Sequence, residues 1–401
     1  MTLSSEKGVF VGFHEQRKID IAYQVIHGQL SMDQGATLLQ KSYRQTRRIV
    51  AKIKSKGILG VKHGNFARVP ANKTPDTVKR VVLDLLRNQY YDFNLTHFRE
   101  RLEQDHQITV PKETLRRWAH AEGLVKRARK SRRRAKTHKT RPRLPQAGMM
   151  MQLDGSTHAW LGERGPKSCL IGGIDDATSV CPHAEFFSVE DTLSVLSTLK
   201  SIVERVGVPE VLYVDQAQHF GKHYNRRLYI DWEKHLTHVE RAMEELGCRV
   251  LFAQSPQAKG RIERMWNTFQ DRLIPELRLQ GVSDMSSANA YLHEKFIPEF
   301  NKKFSVAPSD EKIAFKPIPA TWQNRLDWVF CIREYRKVGA GETISWKGKT
   351  YLVNNNYGLA LKNTTIEIRT RLDGVHQAFY AGRIVNLLDI GSTEFLNKKC
   401  A

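Results

Sequence analysis

Two acidic residues stand at the ends of apolar segments and could act together on a metal ion. Asp154 closes the run MMMQLD, and Asp215 closes the run VLYVD. On neighbouring strands such carboxylates would lie side by side, where repulsion would hold a proton on one of them unless a divalent cation lay between them. Each acid could instead cap the turn that follows it, as aspartate often does. Taken alone, the two residues leave both interpretations open.

A third acid lies on a predicted long helix within SPQAKGRIERMWNTFQDRLIPEL. Projected on a helix, the segment has one apolar stripe, formed by Ile262, Trp266, Phe269 and Leu273. A neighbouring stripe carries Lys259, Glu263, Asn267 and Gln270. A glutamate beside basic residues is ordinarily a solvated ion pair. The place of Glu263 at the edge of a buried stripe, after two strand-end acids, favours a third metal ligand.

Asp175 and Asp176 also follow an apolar segment, SCLIGGIDD. They begin a turn, DATS, that separates two predicted strands. We therefore interpret both of them as structural residues and not as ligands.

The segments around the three acids alternate between predicted strands and predicted helices. Strands are predicted at 168–176, 183–189, 210–215 and 249–253, and helices at about 190–206, at about 226–246 and from 259 onward. With the apolar run that ends at Asp154 counted as a further strand, three adjacent strands precede the first helix and a fourth follows it, which predicts an α/β core with a mixed sheet.

The first half of the chain predicts two similar all-helical units. In the first, Ser31 with Gln34 and Ser42 with Gln45 form capping boxes that begin two helices. The helix after Ser42 is basic, as in a helix-turn-helix whose last helix enters the major groove. Its candidate DNA contacts are Arg44, Gln45, Arg47, Arg48 and Lys52.

The second helical unit has predicted helices at about 75–89, 95–105 and 111–122. The last helix carries the candidate DNA contacts Lys112, Thr114, Arg116 and Arg117. Plain helical bundles with solvated charges remain the alternative for both units.

A basic segment follows, VKRARKSRRRAKTHKTRPRLP, in which 11 of the 18 residues from Lys126 to Arg143 are Lys or Arg. Such a run cannot bury itself and is extended or disordered without an anion. Its place between predicted DNA-reading helices and a candidate catalytic domain favours a segment that follows phosphates and supplies affinity without sequence choice. A nuclear-import-like or merely solubilising segment is the alternative. Its candidate contacts are Lys126, Arg127, Arg129, Lys130, Arg132, Arg133 and Arg134.

Beyond about residue 320, short alternating segments with glycine turns predict a small all-β barrel, of the SH3-like kind. A DNA-binding role and a structural or multimerising role are both open for it. The complete prediction is a multidomain chain: helix-turn-helix units at 1–60 and 61–124, a basic linker at 125–145, an α/β core at 146–310 and the barrel at 311–401.

The composition points to a polyanionic partner. The chain has 64 Lys and Arg against 42 Asp and Glu, a net charge of +22. Nucleic acid is the default partner for such a charge and a membrane surface the weaker one. No stretch of 18 apolar residues or signal peptide is found, which predicts an intracellular protein. Five scattered cysteines without a CxxC pair argue against disulfides and against a cysteine-based zinc site.

Three motifs in this order, QLDGS, YVDQAQHF and SPQAKGRIERMW, resemble those of DDE transposases of the retroviral-integrase type. The tandem helical units, IDDATS and SPQAKGRIER resemble the ISNCY-type insertion-sequence transposases. The resemblance runs from the first helical unit to the barrel and is strongest over 150–275. It implies an RNase H-like core with Asp154, Asp215 and Glu263 as its acidic triad. The sequence departs from the family at QAQHF, where Gln218 and His219 replace the usual glycine and acid.

The resemblance also implies a reaction and partners. The triad would hold two Mg²⁺ ions, with Mn²⁺ as a substitute, while Lys259, Arg261 and Arg264 hold DNA phosphates nearby. The enzyme would cleave the 3′ ends of a mobile element at its terminal inverted repeats and transfer them to target DNA, as a homo-oligomer without membrane contact. A cytoplasmic, nucleoid-associated bacterial protein is expected. The alternatives are an RNase H-like nuclease that does not join strands and a domesticated, non-catalytic DNA-binding regulator.

Overall fold

The computed structural model describes residues 11–63, 73–125, 141–215, 236–253, 259–354, 358 and 360–391. The chain divides into two compact units, Met1–Lys79 and Arg80–Ala401. Within the described ranges, no helix combines the length and the apolar character needed to cross a bilayer.

In its described residues from 11 to 63, the first unit contains the α-helices α1 (Phe13–Ile26), α2 (Met32–Leu39) and α3 (Tyr43–Lys56). Both predicted capping boxes are confirmed. The Ser31 Oγ accepts a hydrogen bond from the Gln34 amide at 3.2 Å, and the Ser42 Oγ accepts one from the Gln45 amide at 3.3 Å. Each glutamine Oε1 in turn accepts a hydrogen bond from the backbone amide of its cap serine, so four amides are satisfied where these helices begin.

A second helical segment follows the predicted pattern closely. Its helices are α4 (Asp76–Asn88), α5 (Leu95–His106) and α6 (Lys112–Ala121). The Asn94 side chain caps α5 by accepting bonds from the Thr96 and His97 amides, both at 2.9 Å. The N-terminal region is therefore helical, as predicted.

The core contains a mixed sheet of five strands, which confirms the predicted α/β character. The strands are β1 (Met151–His158), β2 (Ser168–Asp175), β3 (Ala184–Phe187), β4 (Val211–Val214) and β5 (Arg249–Phe252). Their order is β3-β2-β1-β4-β5. β1, β2 and β3 are antiparallel neighbours, whereas β4 lies parallel to both β1 and β5.

Two apolar clusters cover the core sheet. The core helices are α7 (Thr192–Val206), α8 (His238–Glu245), α9 (Gly260–Leu279), α10 (Met285–Tyr291), α11 (Ile297–Phe304) and α12 (Leu326–Val329). Met151 and Leu153 of β1 pack with α7 and α8 in one cluster. Leu170 and Ile174 of β2 pack with α9, α10 and α11 in the other. The two faces differ because alternate side chains of a strand point to opposite sides.

The C-terminal region is an antiparallel sheet of six strands. They are β6 (Ile332–Lys337), β7 (Thr343–Trp346), β8 (Lys349–Asn354), β9 (Thr365–Thr370), β10 (His376–Tyr380) and β11 (Arg383–Asp389). Their order is β6-β9-β10-β11-β8-β7. The two edge strands contact each other, and the Trp346 indole donates a hydrogen bond to Glu334 at 2.7 Å. The sheet is thus a nearly closed barrel, as predicted.

Candidate active site

Asp154 and Asp215 lie opposite each other across strands β1 and β4. The parallel register pairs Met151 with Leu212 and Gln152 with Tyr213. Two residues further along each chain, the same register brings Asp154 opposite Asp215. The charge of Asp215 is among the influences that raise the pKa of Asp154. The two carboxylates are therefore near enough to influence each other electrostatically.

Strand β1 does not end at Asp154, so our expectation of a strand-end acid was wrong for this residue. The pairing of β1 with β2 continues as far as His158, which lies opposite Ser168. Only the pairing with β4 stops, because β4 itself ends at Val214. Asp154 therefore lies where the neighbouring strand β4 ends, within a strand that itself continues.

The Asp154 carboxylate binds two side chains of the α9 region. The Lys259 Nζ lies 2.5 Å from its Oδ1, and the Trp266 Nε1 donates to its Oδ2 at 3.1 Å. The Asp154 side chain is 22% exposed and that of Lys259 is 7% exposed. Burial raises the pKa of Asp154 above its ordinary value, although the Lys259 charge and both hydrogen bonds oppose this shift. A half-buried carboxylate of this kind is stabilised by a cation.

Sequence reasoning missed the contact from Trp266, which it assigned only to the apolar stripe. Gly172 lies opposite Asp154 on β2. A Cβ built on Gly172 would lie 3.2 Å from the Trp266 ring and 2.7 Å from the Ala184 Cβ. The absence of a side chain at Gly172 therefore lets the indole approach the strand and reach the carboxylate.

Helix α9 carries Glu263 on the face that contacts β1. On this face, Lys259 and Trp266 bind Asp154, and Gln270 donates to the Ser156 Oγ at 3.3 Å. Glu263 lies four residues after Lys259 and three before Trp266, so helical geometry places it on the same face. Glu263 is exposed, and no hydrogen bond or ion pair joins it to another described residue. Its carboxylate therefore has no partner among the described residues.

In the ranges that the structure describes, no group of three or more His, Cys, Asp or Glu side chains is already arranged around a metal position. The ammonium of Lys259 lies on Asp154, where a metal ion would have to bind. The residues nonetheless fit a hard divalent cation. Asp154, Asp215 and Glu263 offer only carboxylate oxygen, which is the donor that Mg²⁺ and Mn²⁺ prefer, and Asp154 already binds one cation.

No model of a known protein family matches the chain. Two relatives decide its family. A protein of Sinorhizobium fredii (strain NBRC 101917 / NGR234) assigned as transposase y4bF is 33% identical over 340 residues, which cover 85% of this chain and 73% of the relative. The transposase for insertion sequence IS1202 of Streptococcus pneumoniae is 26% identical over 371 residues, which cover 84% and 78%. The chain belongs to the transposase family. The resemblance to transposases drawn from the motifs is therefore confirmed.

Two solved structures to which this transposase is similar are of viral origin. The catalytic core domain of HTLV-2 integrase in complex with magnesium, in a trimeric form, matches at 13% identity and a TM-score of 0.26, over 37% of this chain and 88% of that one. The simian T-cell lymphotropic virus intasome in complex with PP2A regulatory subunit B56 gamma matches at 12% identity and a TM-score of 0.32, over 76% and 98%.

The other basic residues predicted near the site of the transposase have different contacts. Arg261 donates from Nε to the buried Asp176 at 2.7 Å. Arg264 is exposed and donates from Nε to the Gly260 carbonyl at 2.9 Å. Lys259, in contrast to Arg261 and Arg264, contacts Asp154, an acid of the proposed triad.

The predicted DNA contacts of α3 lie on its exposed side. Thr46, Val50 and Ile53 face the interior of the first unit. The side chains on the outside are those of Arg44, Gln45, Arg47, Arg48 and Lys52. The Gln45 Oε1 already accepts from the Ser42 amide at 3.4 Å, so its amide nitrogen is the part left for DNA.

The predicted contacts of α6 are less uniform. Lys112 and Arg117 are exposed and Thr114 is half-buried. Arg116 donates two hydrogen bonds to Glu113, at 2.8 and 2.7 Å, so a phosphate would have to replace that glutamate. The remaining predictions lie outside the described residues: Lys126, Arg127, Arg129, Lys130, Arg132, Arg133, Arg134, Gln218 and His219.

Proposed function

We propose that this transposase is a DDE enzyme with an RNase H-like core that binds the terminal repeats of a mobile element, cleaves its 3′ ends and transfers them to target DNA. One observation carries the proposal. Asp154 and Asp215 lie opposite each other where the parallel pairing of β1 and β4 ends, and the face of α9 that bears Glu263 is bonded to Asp154.

Asp154, Asp215 and Glu263 would hold two Mg²⁺ ions, or Mn²⁺ in their place. Bound there, the metal ions would supply activation of the attacking oxygen and stabilisation of charge on the leaving oxygen. The protein's own contribution is to fix the ligands. Trp266 holds one oxygen of Asp154, and the buried apolar stripe of α9 fixes the helix that carries Glu263.

Lys259 has a separate role in this proposal. Its ammonium neutralises Asp154 while no other cation is bound, because a buried carboxylate without a partner is costly. With another cation on the carboxylate, the Lys259 ammonium would be available to bind a phosphate of the DNA within the same site. Lys259 thus stabilises the acidic site in one state and the substrate in the other.

The exposed basic residues of α3 and α6, with the basic segment between α6 and β1, would bind the DNA. The net charge of +22 supports this assignment. Joining two ends in concert requires more than one active site, so we infer that the transposase acts as a homo-oligomer on DNA in the bacterial cytoplasm.

A strand-transfer assay tests the proposed function. The wild type would be incubated with a pre-cut terminal repeat of its own element, a supercoiled target and Mg²⁺, with Asp154→Asn in parallel. We expect joined product from the wild type only. Nicking without joining would instead support the nuclease, and tight binding without chemistry in either protein would support the regulator.

Replacement of Arg47 and Arg48 by alanine is expected to weaken binding to the terminal repeat more than binding to random duplex. An arginine that contacts a base contributes about 1–3 kcal/mol of discrimination. Competition binding at fixed salt measures the difference. Lys41→Ala provides the control variant, because Lys41 is exposed and lies before α3 begins. Equal weakening on both DNAs would restrict α3 to phosphate contacts.

A further inference from the structure

Asp176 binds side chains or backbone from three separate parts of the chain. Its side chain is fully buried, in the turn that follows β2. It accepts hydrogen bonds from Arg141 and from the Leu144 amide at 3.0 Å, both at the end of the basic sequence. It also accepts from Gln152 of β1 at 2.9 Å and from Arg261 of α9 at 2.7 Å. This is more than the local turn-forming role that its sequence position predicted.

Two of these partners flank the proposed metal ligands. Gln152 lies two residues before Asp154, and Arg261 lies two residues before Glu263. Gln152 is fully buried, and its Oε1 accepts from the Ile262 amide at 3.3 Å. That amide belongs to the first turn of α9, where backbone N–H groups have no partner within the helix. Asp176 thus holds the first turn of α9 twice, directly through Arg261 and indirectly through Gln152.

The two arginines on Asp176 differ in their exposure. The Arg141 side chain is 43% exposed and that of Arg261 only 10%. A DNA phosphate can therefore reach Arg141 and compete with Asp176 for it, whereas Arg261 is shielded. Arg143 adds positive charge, since it bonds to the backbone carbonyls of Asp176 and Ala177 at 3.1 Å. Burial and the charges of Arg261 and Arg264 lower the pKa of Arg143, so an anion beside it would be stabilised.

We propose that Asp176 is a positioning residue that connects Arg141, at the end of the basic sequence, to the first turn of α9 and thereby sets Glu263 against Asp154. The inference rests on the proposed function, in which Glu263 is a metal ligand. When a DNA phosphate binds Arg141, Asp176 loses one of its two guanidinium partners. The carboxylate then bonds more strongly to Arg261 and Gln152, which fixes the first turn of α9 when substrate is present.

Asp176→Asn tests this role, and Asp175→Asn is its matched control. Asp175 is also buried and lies in the same turn, but its bonds go to Gly148 and Thr178 and not to α9. Hydrogen exchange is measured on the full chain without metal. In Asp176→Asn, the backbone amides in the first turn of α9 should exchange about 10- to 100-fold faster than in the wild type, because a hydrogen bond to a charged group is lost. Asp175→Asn should leave that turn at the wild-type rate.

Mn²⁺ affinity gives a second readout, measured by electron paramagnetic resonance. Partners that orient metal ligands change affinity by about 10- to 100-fold, so Asp176→Asn should weaken Mn²⁺ binding by that factor. If Asp176 acts through Arg261, the double variant Asp176→Asn with Arg261→Gln should lose little more than either single variant. If Asp176 were purely structural, its substitution would lower the unfolding midpoint without changing the affinity for Mn²⁺.

The outcomes separate this inference from the proposed function. Equal exchange and equal Mn²⁺ affinity in the Asp176 and Asp175 variants would overturn the positioning role. A wild type that neither binds Mn²⁺ nor joins strands would overturn the proposed function, while the exchange measurement still decides whether Asp176 fixes α9. If Asp176→Asn does not fold, Arg261→Gln must show the same localised exchange, and a wild-type rate in that variant would refute the inference.

Discussion

Glu263→Gln is expected to reduce strand transfer at least about 1000-fold, which corresponds to about 4 kcal/mol of transition-state stabilisation. The substitution keeps the shape of the side chain and removes the charge that a hard cation requires. Glu263 is exposed and has no partner among the described residues, so stability should change by less than about 0.5 kcal/mol. Binding to the terminal repeat should remain at the wild-type level.

The measurement compares strand transfer and end binding in the same preparation. Asp271→Asn is the matched control, because Asp271 is an exposed acid on α9 whose partner is Asn94 and not a residue of the site. The control should retain both activities. A parallel loss of binding and chemistry in Glu263→Gln would contradict its assignment as a metal ligand, as would full strand transfer.

Glu276→Ala is expected to destabilise the second unit by about 3–5 kcal/mol, the usual cost of leaving one partner of a buried ion pair alone. Glu276 of α9 is 2% exposed and joins α9 to α5. It accepts from His97 at 2.6 Å, from the Arg101 Nε at 2.8 Å and from Tyr291 at 3.0 Å. Without the carboxylate, the Arg101 guanidinium would remain buried without its main counter-charge.

Urea unfolding followed by tryptophan fluorescence measures this loss, because all seven tryptophans follow residue 80 and report on the second unit alone. Asp271→Ala is the control on the same two helices, since its exposed bond to Asn94 should contribute at most about 1 kcal/mol. A change in Glu276→Ala no larger than in this control would show that the buried cluster does not hold α5 on α9.

The same cluster predicts a dependence on pH. Burial alone would raise the pKa of Glu276, but the hydrogen bonds from His97 and Arg101 lower it below its ordinary value. A group with a lowered folded-state pKa stabilises the fold above its unfolded pKa and loses that contribution as pH falls through the folded value. The free energy of unfolding of the second unit should therefore decrease as the pH falls below the ordinary pKa of glutamate. In Glu276→Ala this decrease should be smaller.

Much of the local structure could be predicted from sequence because it depends on near neighbours. The capping boxes at Ser31 and Ser42 need only residues three positions apart, and both are present. The apolar stripe of α9 follows from helical spacing, and Ile262, Phe269 and Leu273 are fully buried. Alternation and turn residues in the same way predicted the mixed sheet and the barrel.

The contacts that build the candidate site could not be predicted, because they join residues far apart in the chain. Lys259 binds an acid 105 residues earlier, and Glu276 binds Arg101 across 175 residues. Asp176 gathers its partners from both directions along the chain. No periodicity encodes such pairs. The extension of β1 beyond Asp154 was missed for the same reason, since it depends on the length of its partner β2.

The position of bound metal tests the central claim most directly. The full transposase would be crystallised with a pre-cut terminal-repeat duplex and Mn²⁺, and the metal located by anomalous scattering. We predict Mn²⁺ about 2.1 Å from carboxylate oxygens of Asp154, Asp215 and Glu263, with Lys259 moved from Asp154 to a DNA phosphate. Mn²⁺ bound elsewhere, with Lys259 still on Asp154 in a complex that joins strands, would contradict the account.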